Sequence, residues 1–208
     1  MLLDYLISAL VTLLVVVDPV GLAPSFLAVT HDLPTSARKR IALRACLVAG
    51  AILAGTALAG DWLLRQLSIG VPAFRIAGGL LLFGVASEMV FGSRIDRQSK
   101  QAEEAMEEHV RHIAAFPLAI PLMAGPGAIT ATLLLAGQAS GRPLTLAVLL
   151  GVIVLVVASC LLVFLIASRI ERLLGVTGNV VLSRLLGVIL AALAVQFIID
   201  GVRAVLAA

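Results

Sequence analysis

Charge is scarce in this chain. Of 208 residues 13% are Asp, Glu, Lys or Arg and 61% are hydrophobic, and the mean hydropathy is +1.14. A soluble globular domain carries about a quarter charged residues, so that class is excluded and the chain reads as an integral membrane protein. Cysteine is nearly absent. Cys46 and Cys160 both lie inside apolar runs, the place of small buried side chains and not of a disulfide framework or a metal pair. The three histidines, His31, His109 and His112, all fall at or beyond the ends of apolar runs. There is no HExxH, no Ser/His pair at depth and no P-loop lysine motif, which disfavours a membrane-embedded hydrolase or an ATP-driven pump, and no enzymatic activity is expected. His109 and His112 stand three apart, but no third ligand is indicated, so no metal site is expected. Amphipathic rings are limited to Trp62 and Tyr5, both near the expected outer face, where such rings anchor a membrane protein. The net charge of +3 and pI of 9.4 do not call for nucleic acid, because the basic residues sit in short connections between apolar runs. The N-terminus carries Asp4, lacks a basic n-region and shows no small-residue cleavage site before Asp18, so it is expected to be kept as the first span.

What is present is apolar length. Six runs are long enough to span a bilayer: 2 to 30 (interrupted), 41 to 64, 72 to 91, 113 to 136 (interrupted), 144 to 167 and 184 to 202. The first, third and fifth connections with their flanks hold Arg38, Lys39, Arg40, Arg44, Arg94, Arg97, Lys100, Arg111, Arg169, Arg172 and Arg184. The opposite side holds only Arg65, Arg75, Arg142 and Arg203. The excess of Lys and Arg puts the odd connections in the cytoplasm and both termini outside. The connection from 93 to 112, with Glu103, Glu104, Glu107 and Glu108, is expected to be a solvated cytoplasmic linker.

The two interruptions organise the rest. Asp18 lies about 16 residues into the first run, roughly 24 Å along a helix and well inside a hydrocarbon core of about 30 Å. Pro19 and Pro24 lack N–H donors and clash with the preceding turn, and Gly21 lets the backbone turn away. Carbonyls left without partners are tolerated at that depth only under protein or beside a water-lined cavity. A broken or re-entrant helix is therefore expected over 17–25, and a second over 117–130, where Pro117, Pro121, Gly125, Pro126 and Gly127 cluster.

The two halves match. Arg75, Gly78 and Gly92 align with Arg184, Gly187 and Gly201 at a constant offset of 109, while Pro19 and Pro126 are 107 apart. Three spans per half is an odd number, so the halves enter the membrane from opposite sides. The expected architecture is an all-α membrane protein of six helices in a 3+3 inverted repeat, with residues 1–92 and 113–208 as the repeats. In secondary transporters built this way, paired broken helices hold substrate near the midplane.

Asp18 is the sharpest candidate for chemistry, since a carboxylate at the bilayer centre costs on the order of 3 kcal/mol unless it is paired, protonated or turned to a cavity. It either takes a coupling ion or a substrate ammonium, or caps the half-helix that Pro19 begins; the two are not exclusive. Gly125, Pro126, Gly127, Ala128 and Thr130 open a helix whose N–H groups suit a carboxylate or phosphate. Gly21, Pro24 and Ser25 offer the matching start in the first half. Two helix N-termini aimed at one site argue for a small anionic or zwitterionic ligand. Thr130 and Thr132 add hydroxyls, which bond equally well back to their own helix. Gln196 is deep enough to face the cavity or bond across helices, whereas Glu88 and Asp200 lie near span ends and are expected to snorkel. Gly50, Gly55, Gly78, Gly79 and Gly84 allow close helix packing.

The motifs Asp18-Pro19-x-Gly21-x-x-Pro24, Ala73-Phe74-Arg75-Ile76-Ala77-Gly78-Gly79 and Pro117-Leu118-Ala119-Ile120-Pro121 through Gly125-Pro126-Gly127-Ala128-Ile129-Thr130 resemble those of the MarC family of bacterial and archaeal inner-membrane proteins. The resemblance covers almost the whole chain and departs from the family at Leu22, where members often carry Asn. It implies a six-span transporter of small neutral amino acids such as glycine and alanine in the cell inner membrane. No cofactor is implied beyond a coupling proton or Na+. The partners expected are a small zwitterionic substrate and the lipid bilayer, with a homo-oligomer left open. An alternative, from another class, is a flippase or exporter of an anionic lipid carrier or other small anionic metabolite.

Overall fold

A computed structural model describes residues 2–31, 33–94, 97 and 114–206. The described residues are mostly helical, with no strand among them. Helix α1 covers Leu2–Val17, α2 Leu22–Val29, α3 Thr35–Gln66, α4 Val71–Phe91, α5 Ala114–Met123, α6 Pro126–Gln138, α7 Pro143–Leu165 and α8 Ala167–Leu206. Helix α5 is wound as a π-helix.

Among the described residues four stretches are each long and apolar enough to cross a bilayer: Thr35–Gly60, Val71–Phe91, Pro143–Leu165 and Thr177–Leu206. Helices α1 and α2, bent by 42° at their junction, form a fifth if taken as one span. The remaining expected run, 113 to 136, corresponds to α5 and α6, each shorter than a span. The run expected at 184 to 202 lies inside the longer α8, whose first turns bend away at Gly175, where φ is +60° and only glycine is unstrained. The linker expected from 93 to 112, with its glutamates, His109 and His112, lies outside the described residues apart from Ser93, Arg94 and Arg97.

The bundle is apolar inside and outside, as a lipid solvent demands. Leu43, Leu47 and Leu58 of α3, Leu80 and Leu81 of α4, and Val154, Leu155 and Leu162 of α7 are exposed, so their helices turn large side chains outward. The inner faces carry smaller residues. Ala42, Ala45, Cys46, Ala49 and Leu53 of α3 are buried, as are Val152, Ile153, Val156 and Cys160 of the adjoining α7, and both thiols are free. With no hydrophobic drive between helices in lipid, close backbone approach supplies the attraction instead.

That approach is tightest between α4 and α8, the most extensively packed pair, which run antiparallel. A Cβ at Gly79 would lie 2.8 Å from the Ala194 carbonyl oxygen, one at Gly201 2.9 Å from that of Pro72, and one at Gly187 3.1 Å from that of Ala86. Elsewhere Phe26 of α2 stacks on Phe164 of α7 with ring centroids 4.5 Å apart. Arg38, on the first turns of α3, donates to the carbonyls of Thr30, His31 and Leu33 at 2.9, 2.6 and 3.1 Å. These carbonyls lie at and just beyond the end of α2, where no helical donor reaches them.

Candidate functional site

The first break begins where Pro19 withholds a donor. Asp18 N still donates to Leu14 O at 2.9 Å, but the following proline disfavours helical backbone at Asp18, which adopts φ +53°. Asp is among the few residues that tolerate this region. Its carboxylate folds back over Gly21 and accepts the Gly21 N–H at 3.1 Å, while Leu22 N donates to the Asp18 carbonyl at 3.2 Å. A Cβ on Gly21 would overlap that carboxylate, so the turn requires glycine. The half-helix thus begins at Leu22, not at Pro19, and Asp18 closes its N-terminus. Of the two roles open to Asp18, the carboxylate here takes the capping one, while the start of α6 is left open.

The second break leaves its helix end open. The π-winding of α5 ends with Ala124 N donating to Ala119 O at 2.8 Å, and a Cβ on Gly125 would overlap the Pro121 carbonyl. Helix α6 then starts with Pro126, and its first return bond is Ile129 N to Gly125 O at 3.0 Å. The N–H groups of Gly127 and Ala128 have no helical acceptor, and Gly125 supplies no capping side chain.

The breaks meet. A Cβ on Gly127 would stand 3.4 Å from Val16 and 3.1 Å from Val85, so the start of α6 rests on the end of α1 and the inner face of α4. Between them is a cavity of about 210 Å³, walled by Val16, Val85, Pro121 to Met123, Gly125 to Ala128, and the side chains of Arg94 and Arg97. Arg94 is 5% exposed; its Nη2 donates to the Val16 carbonyl at 2.7 Å, and its Nη1 is buried with no partner. Asp18 and Arg94 act on each other electrostatically without a direct ion pair. Arg97 Nη1 is paired with Glu88 Oε1 at 2.7 Å.

Of the residues singled out in the sequence, Gly125, Pro126, Gly127 and Ala128 stand on this wall. Asp18, Pro19, Gly21 and Ser25 are buried at the first break but do not line the cavity, and Pro24 is exposed. Thr130 is buried one turn further into α6, and Thr132 donates to Ala128 O at 2.8 Å, the bond back to its own helix. Gln196 is not in the cavity: it is exposed on α8 and donates to Asp200 Oδ1 at 2.8 Å. Its depth was readable, but its helical phase sends it away from the breaks. Glu88 does not simply snorkel; it is held by Arg97, with Oε2 buried and unpartnered. The residue that sequence reasoning missed is Arg94, counted there as one loop cation among many. Among the described residues no cluster of His, Cys, Asp and Glu is arranged for a metal.

A second, larger cavity of about 760 Å³ opens at the other ends of the same helices. Asp4, Tyr5 and Ser8 of α1, Gln138 of α6, Arg75, Arg142 and Asp200 share it. On its wall Tyr5 Oη donates to Leu135 O at 2.9 Å; two turns further along α1, Thr12 Oγ1 is buried without a partner.

A chain whose described residues fold into long helices with apolar outer faces, one helix break opening on an arginine-bearing cavity, is a multi-pass integral membrane protein. A profile described as MarC family integral membrane protein matches residues 3–206, and the chain belongs to that family. It is 36% identical over 200 residues to a UPF0056 membrane protein of Archaeoglobus fulgidus, covering 96% of this chain and 92% of that one. It is 36% identical over 198 residues to the UPF0056 membrane protein YhcE of Escherichia coli, covering 93% and 89%. With the UPF0056 membrane protein YvbG of Bacillus subtilis the identity is 33% over 204 residues, covering 98% and 96%. No solved structure matches significantly.

Proposed function

We propose that the protein is a secondary transporter of small neutral amino acids of the glycine and alanine type, working by alternating access in the cell inner membrane and coupled to a proton or Na+ gradient. The observation that carries this reading is the open N-terminus of α6 in a small cavity beside the end of α1, with a second cavity at the far ends of α1 and α6. A carboxylate suits the free N–H groups of Gly127 and Ala128. Formal charge at the site balances, with Asp18 near Arg94 and Glu88 on Arg97, which favours a zwitterion over a multiply charged anion. Asp18 is the residue assigned to the coupling ion, through its influence on Arg94.

The architecture assigned is six spans in a 3+3 inverted repeat, 1–92 and 113–208 joined by a cytoplasmic 93–112 linker, with both termini outside. Three features support it. Helices α3 and α7 begin at Thr35 and Pro143, an offset of 108, close to those of the proline breaks and the glycines. Helices α4 and α8, which carry the matching glycines, pack antiparallel, as elements related by a two-fold axis in the membrane plane do. Arg75 and Arg142 gather at one end of the bundle, Arg94 and Arg97 at the other.

The test is uptake or efflux of labelled glycine and alanine by purified protein in proteoliposomes, under imposed proton and Na+ gradients. Transport abolished by Gly127→Leu, which fills the cavity, and impaired by Asp18→Ala is the expected result; absence of transport under both gradients refutes the reading. The second reading, export of a small anionic metabolite or flipping of an anionic lipid carrier, draws on the two arginines in the cavity wall. Efflux of a labelled organic phosphate, or scrambling of an anionic lipid, with no movement of glycine would select it.

A further inference from the structure

The least explained atom at the site is Arg94 Nη1. A guanidinium donates five N–H bonds in a fixed fork, and one left buried and unbonded forfeits the strength of a charge-assisted hydrogen bond. Arg94 is 95% shielded, its other terminal nitrogen is fixed by the Val16 carbonyl, and no described carboxylate reaches Nη1: Asp18 is turned onto Gly21 and Glu88 onto Arg97. The same small cavity holds the N–H groups of Gly127 and Ala128, also without acceptors. Fixed charge on one wall and a positive helix end on another converge on about 210 Å³.

We propose that Arg94 and the first turn of α6 together form an oxyanion site that binds the carboxylate of a small ligand, with Arg94 as its charged partner and the residue that requires the carboxylate. This deepens the transport reading and rests on it only for the choice of an amino acid as ligand. The Val16 bond holds the guanidinium in place before the ligand arrives, so little ordering is needed on binding. The Glu88 pair engages Arg97, so among the described residues Arg94 is the cation on this cavity wall with a buried donor still unbonded.

The experiment is equilibrium binding to detergent-purified protein, read by calorimetry, with glycine, acetate, glycinamide and inorganic phosphate as probes. Binding of glycine and acetate but not glycinamide is expected. Arg94→Gln should weaken both roughly tenfold or more, and Arg94→Lys, which keeps the charge but not the fork, should weaken them less. Gly127→Ala guards against a folding failure in Arg94→Gln. Its methyl meets Val85 at 3.1 Å, a contact a valine can yield to, and reduces the space beside the free N–H groups. It should lower glycine and acetate affinity in a protein of unchanged elution profile. Unchanged affinity in Arg94→Gln, or in Gly127→Ala where Arg94→Gln does not fold, overturns the proposal, as does binding of phosphate alone or of no probe. Carboxylate binding in a protein that moves no amino acid sinks the transport reading and leaves this site standing; transport with affinity indifferent to Arg94 does the reverse.

Discussion

Replacing Gly125 by alanine should damage this protein for a reason that has nothing to do with backbone freedom. Gly125 has φ −78° and ψ 175°, a conformation open to any residue. The obstacle is the Pro121 carbonyl oxygen, which a Cβ on Gly125 would overlap. A side chain can swing aside, but this oxygen belongs to backbone held in the last π-turn, where Ala124 N is bonded to Ala119 O at 2.8 Å. Relief requires shifting the end of α5 or the start of α6, and forced overpacking of this kind costs about 1–3 kcal/mol. Gly151→Ala is the control: nothing lies within 4 Å of a Cβ there, in the middle of α7. Alanine should be neutral there, or stabilising by up to about 1 kcal/mol through helix propensity. The two variants should therefore differ by roughly 1–4 kcal/mol in unfolding by SDS titration from mixed micelles. Gly125→Ala should also lose carboxylate affinity, because the N–H groups of Gly127 and Ala128 move with the strained turn. Equal stability of the two proteins would refute the argument.

Gly79→Ala and Gly201→Ala each press a methyl against a facing carbonyl, at 2.8 and 2.9 Å, and should each destabilise by about 1–3 kcal/mol in the same titration, whereas Gly84→Ala, with open space around it, should not. Asp18→Asn keeps an acceptor for the Gly21 N–H but removes the charge near Arg94. The two are not directly paired, so the loss should cost less than the ~3–5 kcal/mol of a broken buried ion pair, and adding Arg94→Gln should recover part of it, which a double-mutant cycle reads as coupling. Tyr5→Phe removes the bond to Leu135 O at the second cavity and should lower stability by about 0.5–1.5 kcal/mol. For orientation, a membrane-impermeant maleimide applied to intact spheroplasts should label Gln66→Cys and not Ser36→Cys, both exposed positions at opposite ends of α3; the reverse pattern inverts the topology.

The spans at 71–91 and 143–165 were legible in the sequence almost to the residue, because a lipid-crossing helix is defined by apolar length, a local property. The breaks were legible for a related reason: a proline withholds a donor wherever it sits, so Pro19 and Pro126 mark interrupted backbone without knowledge of neighbours. Partnership across the fold was not legible. Arg94 reads as one more cytoplasmic cation until the Val16 carbonyl, 78 positions away, is seen to hold it inside. Asp18 was singled out as a buried acid, but whether its oxygens faced a ligand or its own turn depended on the left-handed backbone at that residue. Gln196 shows the third limit, since a helix with apolar residues all round carries no pattern to say which side faces in.

The glycine seam between α4 and α8 also bears on motion. Where facing carbonyls come within a methyl's reach of the opposite helix, neither partner can slip lengthwise or roll without collision, so the two travel as a single rigid strut. The alternating access proposed above would then be hinged not in this pair but at the two helix breaks, 18–21 and 124–125.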